Sequence, residues 1–133
     1  MAKQIKVRTT LSSSTAVDSD SLSANFLETI SVDNPIIQSA ELTLNHGAAI
    51  AAQTILASGK TMSTYAYVKN MDSHNYISVR TKSASLEFAR LKPGEHLWIT
   101  VAPAIGLEVI NKATATTTSK VQYGVFDEKV ATT

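Results

Sequence analysis

The chain has 133 residues, with 12 Lys and Arg against 11 Asp and Glu, no cysteine, 44% hydrophobic residues and only 17% charged ones. That length supports one core, while the lack of cysteine excludes disulfides, thiolate metal sites and a cysteine nucleophile. A net charge of +1 creates no field to draw in a polyanion or hold copies apart, so nucleic acid is not expected as a partner.

Gln4 to Thr10 places Ile5, Val7 and Thr9 on one face and Lys6 and Arg8 on the other, the period of a strand. This basic, alternating amino terminus lacks the continuous apolar stretch of a secretory signal. Nor does any apolar run approach the ~20 residues of a membrane span, so no membrane partner is expected. Ser12 to Ser23, dominated by Ser, Thr and Asp, reads as a loop or as an extended segment laid against a neighbour. One β-sandwich domain over 1–133 is expected, with 1–23 as an extended arm.

Asn25 to Val32 brings Phe26, Ile30 and Val32 to one side with Leu27 out of phase, an irregular strand punctuated by Asp33-Asn34-Pro35. Ile36 to Leu44 alternates again, and Asn45-His46-Gly47 closes it as a turn. Ala48 to Ala57 is Ala-rich, which favours helix, yet ends in Thr54-Ile55-Leu56, which favours sheet. A strand is expected there, with one short helix near 48–57 as the alternative, and Gly59 ends it.

Tyr65, Tyr67 and Lys69 alternate up to a polar turn (Asn70, Asp72, Ser73, His74, Asn75), and Tyr76, Ser78 and Arg80 alternate after it, which reads as a β-hairpin. Ser85 to Ala89 places Leu86 and Phe88 on one face. In Leu91-Lys92-Pro93-Gly94-Glu95, Pro93 presets φ and Gly94 can take φ > 0, as the central pair of a type II turn requires. The following strand turns Leu97, Ile99 and Val101 inward and Trp98 outward. Ala102-Pro103-Ala104 and Gly106 turn the chain; Leu107, Val109 and Ala113 form another strand. The Thr-rich run Ala113 to Thr118 reads as a loop or extended edge, and Lys120 to Phe126 closes the chain with Val121, Tyr123 and Val125 in phase. Many short strands with turn signals every ~8–12 residues predict an all-β fold, a jelly-roll-like antiparallel β-sandwich of about eight strands.

Little in the chain points to chemistry. His46, His74 and His96 each sit at or beside a turn, and no two have the spacing of paired metal ligands. Pro93-Gly94-Glu95-His96 shares part of the cupin metal motif, but the histidine follows the glycine too closely and no His-x-His lies upstream. There is no Gly-x-Ser-x-Gly elbow and no phosphate-cradling glycine loop. A glycosidase pair of distant carboxylates, assembled in space, stays open. The expectation is a protein that is not an enzyme, with no catalytic residues, metal or cofactor. Tyr65, Tyr67, Tyr76, Trp98 and Tyr123 have flat faces that stack on sugars or bases, or pack across strands. An outward Trp98 would suit an interface anchor, with Tyr65, Tyr67 and Tyr76 as further interface candidates.

The order of these elements, with Tyr67-Val68-Lys69-Asn70, Asp72, Asn75-Tyr76, Leu91-Lys92-Pro93-Gly94-Glu95, Val101-Ala102-Pro103 and the closing Val121-Gln122-Tyr123-Gly124-Val125-Phe126, resembles small β-rich structural proteins of tailed-bacteriophage virions. The likeness spans most of the chain and is greatest from about Thr54 to Asp127. It implies a virion component of the head, such as a decoration or minor capsid subunit, or of the tail or collar. Its partners would be other virion proteins and copies of itself in a homo-oligomer, assembled in the host cytoplasm. Two rivals are a receptor- or carbohydrate-binding module taking a host-surface glycan, and a small cupin-like metal enzyme.

Overall fold

The computed structural model describes residues 3–13, 23–112 and 115–129. The Ser-rich segment after Ser13 and the expected strand residue Ala113 lie outside them. Alternation decides what faces inward. Along Thr64–Asn70, Thr64, Ala66, Val68 and Asn70 are buried, while Tyr65 and Tyr67 are half-exposed and Lys69 exposed. The same period operates along Ile77–Thr81, where Ile77 and Val79 are fully buried. Leu44, Val68, Ile77, Val79, Val109 and Val121 meet in one core between two sheets, each removed from water entirely. Each buried aliphatic side chain contributes ~1.5–3 kcal/mol of transfer free energy.

In chain order the strands are β1 (Lys3–Ser12), β2 (Ser23–Leu44), β3 (Gln53–Leu56), β4 (Thr64–Asn70), β5 (Ile77–Thr81), β6 (Glu87–Leu91), β7 (His96–Val101), β8 (Leu107–Asn111) and β9 (Ser119–Glu128). One sheet has the order β1-β2-β9-β4-β7 and the other β3-β8-β5-β6. All pairings are antiparallel, and every connection from β2 onward crosses between sheets except β5 to β6. This is a jelly-roll β-sandwich of eight strands, β2 to β9, with β1 added at one edge.

Three local expectations change. Tyr65 to Arg80 is not a hairpin: β4 and β5 lie in different sheets, because the buried faces of Ala66 and Val68 and of Ile77 and Val79 pack across the core. Asp33-Asn34-Pro35 does not end its strand; β2 runs through it with register shifts around Pro35, where the absent N–H interrupts the ladder without stopping it. The stretch 48–57 divides, with a 3₁₀ turn at Gly47–Ala49 and β3 behind it, since the Ala-rich part is too short to propagate a helix. Leu86 and Phe88, expected on one face, are both turned to solvent, 63% and 41% exposed.

β2 is long enough to serve two partners. Its second half pairs with β9 from Leu44 to Val32; Val32 also pairs with β1, and the first half, from Ser31 to Ser23, pairs with β1 alone among the described strands. A two-stranded ribbon therefore leaves the body at the Val32 end, with Leu11, Phe26 and Leu27 47%, 56% and 58% exposed.

The opposite end is closed by amides. The buried side chain of Asn70 donates from Nδ2 to the carbonyls of Asn75 (2.8 Å) and Leu91 (3.1 Å) and accepts the Asp72 N–H at 2.9 Å. Its backbone N–H reaches the Glu95 carbonyl at 2.9 Å, and its carbonyl takes the Gly94 N–H at 3.0 Å. Replacing Asn70 by Ala leaves two carbonyls and one N–H without partners, and at ~1 kcal/mol or more each the expected loss is about 3 kcal/mol. Urea denaturation measures it, and a change below ~1 kcal/mol contradicts this role.

Gly94 takes φ 84° and the Glu95 N–H donates to the Lys92 carbonyl at 3.0 Å, as the type II turn expected around Pro93 and Gly94 requires. A Cβ at Gly94 would meet nothing within 4 Å, so any cost of substitution is backbone strain alone. Gly94→Val is expected to lose ~1–3 kcal/mol and lower the melting temperature. Unchanged melting would contradict the turn.

Candidate interaction surfaces

The outer face of the five-stranded sheet gathers the aromatics that alternation turns away from the core. Tyr65 and Tyr67 project from β4, Trp98 from β7 and Phe126 from β9, with Tyr67 opposite both Trp98 and Gly124, and Tyr65 opposite Phe126. Trp98 stacks on Tyr65 with ring centroids 6.1 Å apart and planes 4° from parallel. Tyr67 and Phe126 lie 6.4 Å apart at 26°. Such pairs add ~0.5–1.5 kcal/mol beyond their area.

A glycine makes the arrangement possible. A Cβ on Gly124 would fall 2.9 Å from Cδ1 and Cζ of Tyr67 and nearer still to Cε1, so the tyrosine ring occupies the space that any other residue would claim. Leu97 and Ile99 pack against the core and Val101 is buried, so Trp98 faces outward as its alternation predicts. The indole is half-buried by its neighbours, and its N–H finds no acceptor among the described residues.

Tyr76 does not join this group. It borders a depression of about 410 Å³ on the outer face of the four-stranded sheet, with Ser78, Arg80, Glu87, Arg90 and Lys112. Charges there are matched across strands. Arg80 on β5 meets Glu108 on β8 at 2.8 Å, with most of both side chains out of solvent. Arg90 Nε and Nη2 donate to Glu87 at 2.8 and 3.0 Å, and Lys112 Nζ lies 5.2 Å from the Tyr76 ring centroid. The hydrogen bonds from Arg90 hold the Glu87 carboxyl down at about 2.

The remaining candidates are dispersed. Tyr123 is turned into the core, 7% exposed, and is unavailable for ring stacking on a ligand. Pro93 and Gly94 form a turn at the amide-closed end. His46 precedes the 3₁₀ turn, His74 sits beside Ser73 in the β4–β5 connection, and His96 opens β7. Among the described residues no group of three His, Asp or Glu side chains is placed to hold a metal ion.

Sequence reasoning missed Phe126 and Gly124 as members of the aromatic face, and the Arg80–Glu108 pair. A glycine inside an otherwise regular strand is a signal of close approach and could have flagged Gly124. Nothing local marks Arg80 and Glu108 as partners, since the two strands meet only in the folded sheet. No protein-family model and no curated protein sequence matches the chain.

The Glu87 carboxylate gives the depression a pH signature. Its pKa is depressed in the folded chain, so the pairing with Arg90 persists above the ordinary glutamate range and is lost as pH falls toward about 2. Carboxyl NMR is expected to follow Glu87 to a midpoint near about 2, moving up into the ordinary range in Arg90→Gln. A wild-type midpoint already in that range would contradict the pairing.

Proposed function

We propose that the chain is a structural subunit of a tailed-bacteriophage particle, a head decoration or minor capsid subunit or else a small tail or collar subunit. It acts through protein–protein contacts, with copies of itself and other virion proteins as partners, and employs neither catalysis nor a cofactor. The observation that carries this reading is a jelly-roll body from which a ten-pair β-ribbon projects, paired beyond its root at Val32 with no other described strand. An isolated two-stranded ribbon is at best marginally stable in water, so such an element implies a neighbour. The aromatic outer face, the low charge and the resemblance in the turn motifs support the same role.

The depression beside Tyr76 favours a second reading, a module for a host-surface glycan. One aromatic ring, two arginines and a lysine beside serine hydroxyls form a lining suited to sugar hydroxyls and an acidic substituent. A glycan array separates the two: reproducible binding lost in Tyr76→Ala, with particle assembly intact, favours the module.

Electron microscopy of particles carrying a gold-labelled tag at the carboxyl terminus tests the structural role. Labelled particles at a regular position are expected, and a chain absent from purified particles overturns the proposal. Trp98→Ala is expected to keep the β-rich circular dichroism, since the ring lies outside the core, and to reduce incorporation. Truncating a residue at an interface centre costs ~2 kcal/mol. Unfolding of this variant would instead make Trp98 part of the stabilising core.

A further inference from the structure

The apolar face of the ribbon and the aromatic face of the body are one surface. Directly opposed residues of an antiparallel pair point to the same side of a sheet. Along the ribbon this places Ile5 with Ile30, Val7 with Glu28, Thr9 with Phe26 and Leu11 with Ala24 on one side. Gln4, Lys6, Arg8, Thr10 and Ser12 share the other with Ser31, Thr29, Leu27, Asn25 and Ser23. One face is thus mainly apolar and the other mainly polar. Val32 joins the apolar face to the body: it opposes Lys3 in β1 and Glu128 in β9. Glu128 lies two residues from Phe126, which opposes Tyr65. The same side of the sheet therefore runs from Phe26 through Val32 and Phe126 to Tyr65 and Trp98. Val32 and Phe126 are buried, 1% and 9% exposed, yet belong to this outer surface and not to the main core.

We propose that this surface binds a second copy of the chain in a two-fold dimer, each ribbon laying its apolar face over the Tyr65–Trp98 face of the other. Area selects the occupant. With ten residue pairs, a ribbon at ~3.3 Å per residue and ~5 Å between strands is ~33 Å long and ~10 Å wide, so one face covers ~330 Å². Counted on both partners, one ribbon on an unrelated protein removes ~660 Å², well short of the ~1,200 Å² of a stable interface, while two reciprocal ribbons reach ~1,300 Å². A two-fold axis supplies that reciprocity, because each copy both gives a ribbon and receives one. The geometry permits it: the ribbon extends past the end of the body on the same side as the aromatic face, so a half-turn sets each body opposite the other's ribbon. A net charge of +1 opposes the approach very little.

This inference rests on the reading of the chain as a structural subunit, but its test needs no particle. Sedimentation velocity of the full chain is expected to give a species of twice 14.2 kDa. Phe26→Asp, whose side chain touches no core, is expected to weaken dimerisation by about 30-fold or more with unchanged circular dichroism. Because the chain has no cysteine, paired labels are clean. Phe26→Cys with Thr100→Cys is expected to give a covalent dimer with a short bismaleimide, and either single variant is not. A chain that is monomeric at all concentrations, a dimer indifferent to Phe26→Asp, or a dimer cross-linked by Phe26→Cys alone each overturns the proposal. A dimer that is absent from purified particles removes the virion role and leaves the ribbon exchange standing.

Discussion

The side chain of Asn70 holds together connections that the two sheets alone do not join. β4 ends at Asn70 in one sheet and β6 ends at Leu91 in the other, and a single buried amide bonds the chain after each. From it the network continues. Asn75 Nδ2 donates to the Thr117 carbonyl at 2.9 Å and to Ser119 Oγ at 3.1 Å, and Ser119 Oγ donates to Asn111 Oδ1 at 3.0 Å. Asn111 Nδ2 in turn reaches the Asn45 carbonyl at 3.2 Å. Every strand connection at that end, β2–β3, β4–β5, β6–β7 and β8–β9, is thereby tied to another. An amide suits the task because it carries donors and an acceptor without charge, so burial costs no ion desolvation. A carboxylate of the same shape would set oxygen against the carbonyls that Asn70 Nδ2 serves.

Closure at one end leaves the other free to carry the ribbon. There the backbone is joined by main-chain bonds, Ala104 N–H to the Lys60 carbonyl at 2.7 Å and Lys82 N–H to the Gly106 carbonyl at 2.9 Å. Lys129 N–H also reaches the Ser31 carbonyl at 2.9 Å, which anchors β2 where it leaves the body. Val32, 1% exposed, is thus a fixed root, and beyond Ser31 β2 pairs with no described strand but β1. The body and the ribbon share one strand but differ in how they are stabilised. The body buries a core of its own, whereas the ribbon has hydrogen bonds and, among the described residues, no second layer.

What the amino-acid sequence reveals follows from how local each determinant is. Alternation in Tyr65–Lys69 and Leu97–Val101 places their faces correctly, because period-two spacing is a property of the strand itself. The turn at Pro93 and Gly94 is equally legible, since its chemistry lies within four residues. Alternation cannot say which strand lies beside which, so Tyr65 to Arg80 reads as a hairpin although its two strands oppose each other across the core. Pro35 misleads for the converse reason: a proline signals an interruption locally, but β9 pairs with β2 on both sides of it and carries the strand through. The aromatic face is legible only in part. Trp98 announces itself by its phase, whereas its continuity with Phe126 and Val32 depends on β9 standing between β2 and β4.

The ribbon's charges bear on which of its surfaces are open to contact. β1 is an edge strand among the described residues, and such an edge is a template for unwanted strand addition; Lys6 and Arg8 on its polar face oppose a second identical edge by like charge. The apolar face carries Glu28 between Phe26 and Ile30 and is otherwise uncharged from Ile5 to Leu11 and from Ala24 to Ile30. Pairing of two β1 edges is thus disfavoured while face-to-face packing stays open. Two identical edges, like two identical faces related by a two-fold axis, are used up once two copies have met, whereas a head-to-tail contact of β1 with the β7 edge of the next copy could propagate. The few charges along β1 therefore guard the strand edge and leave the apolar face as the open contact surface of the ribbon.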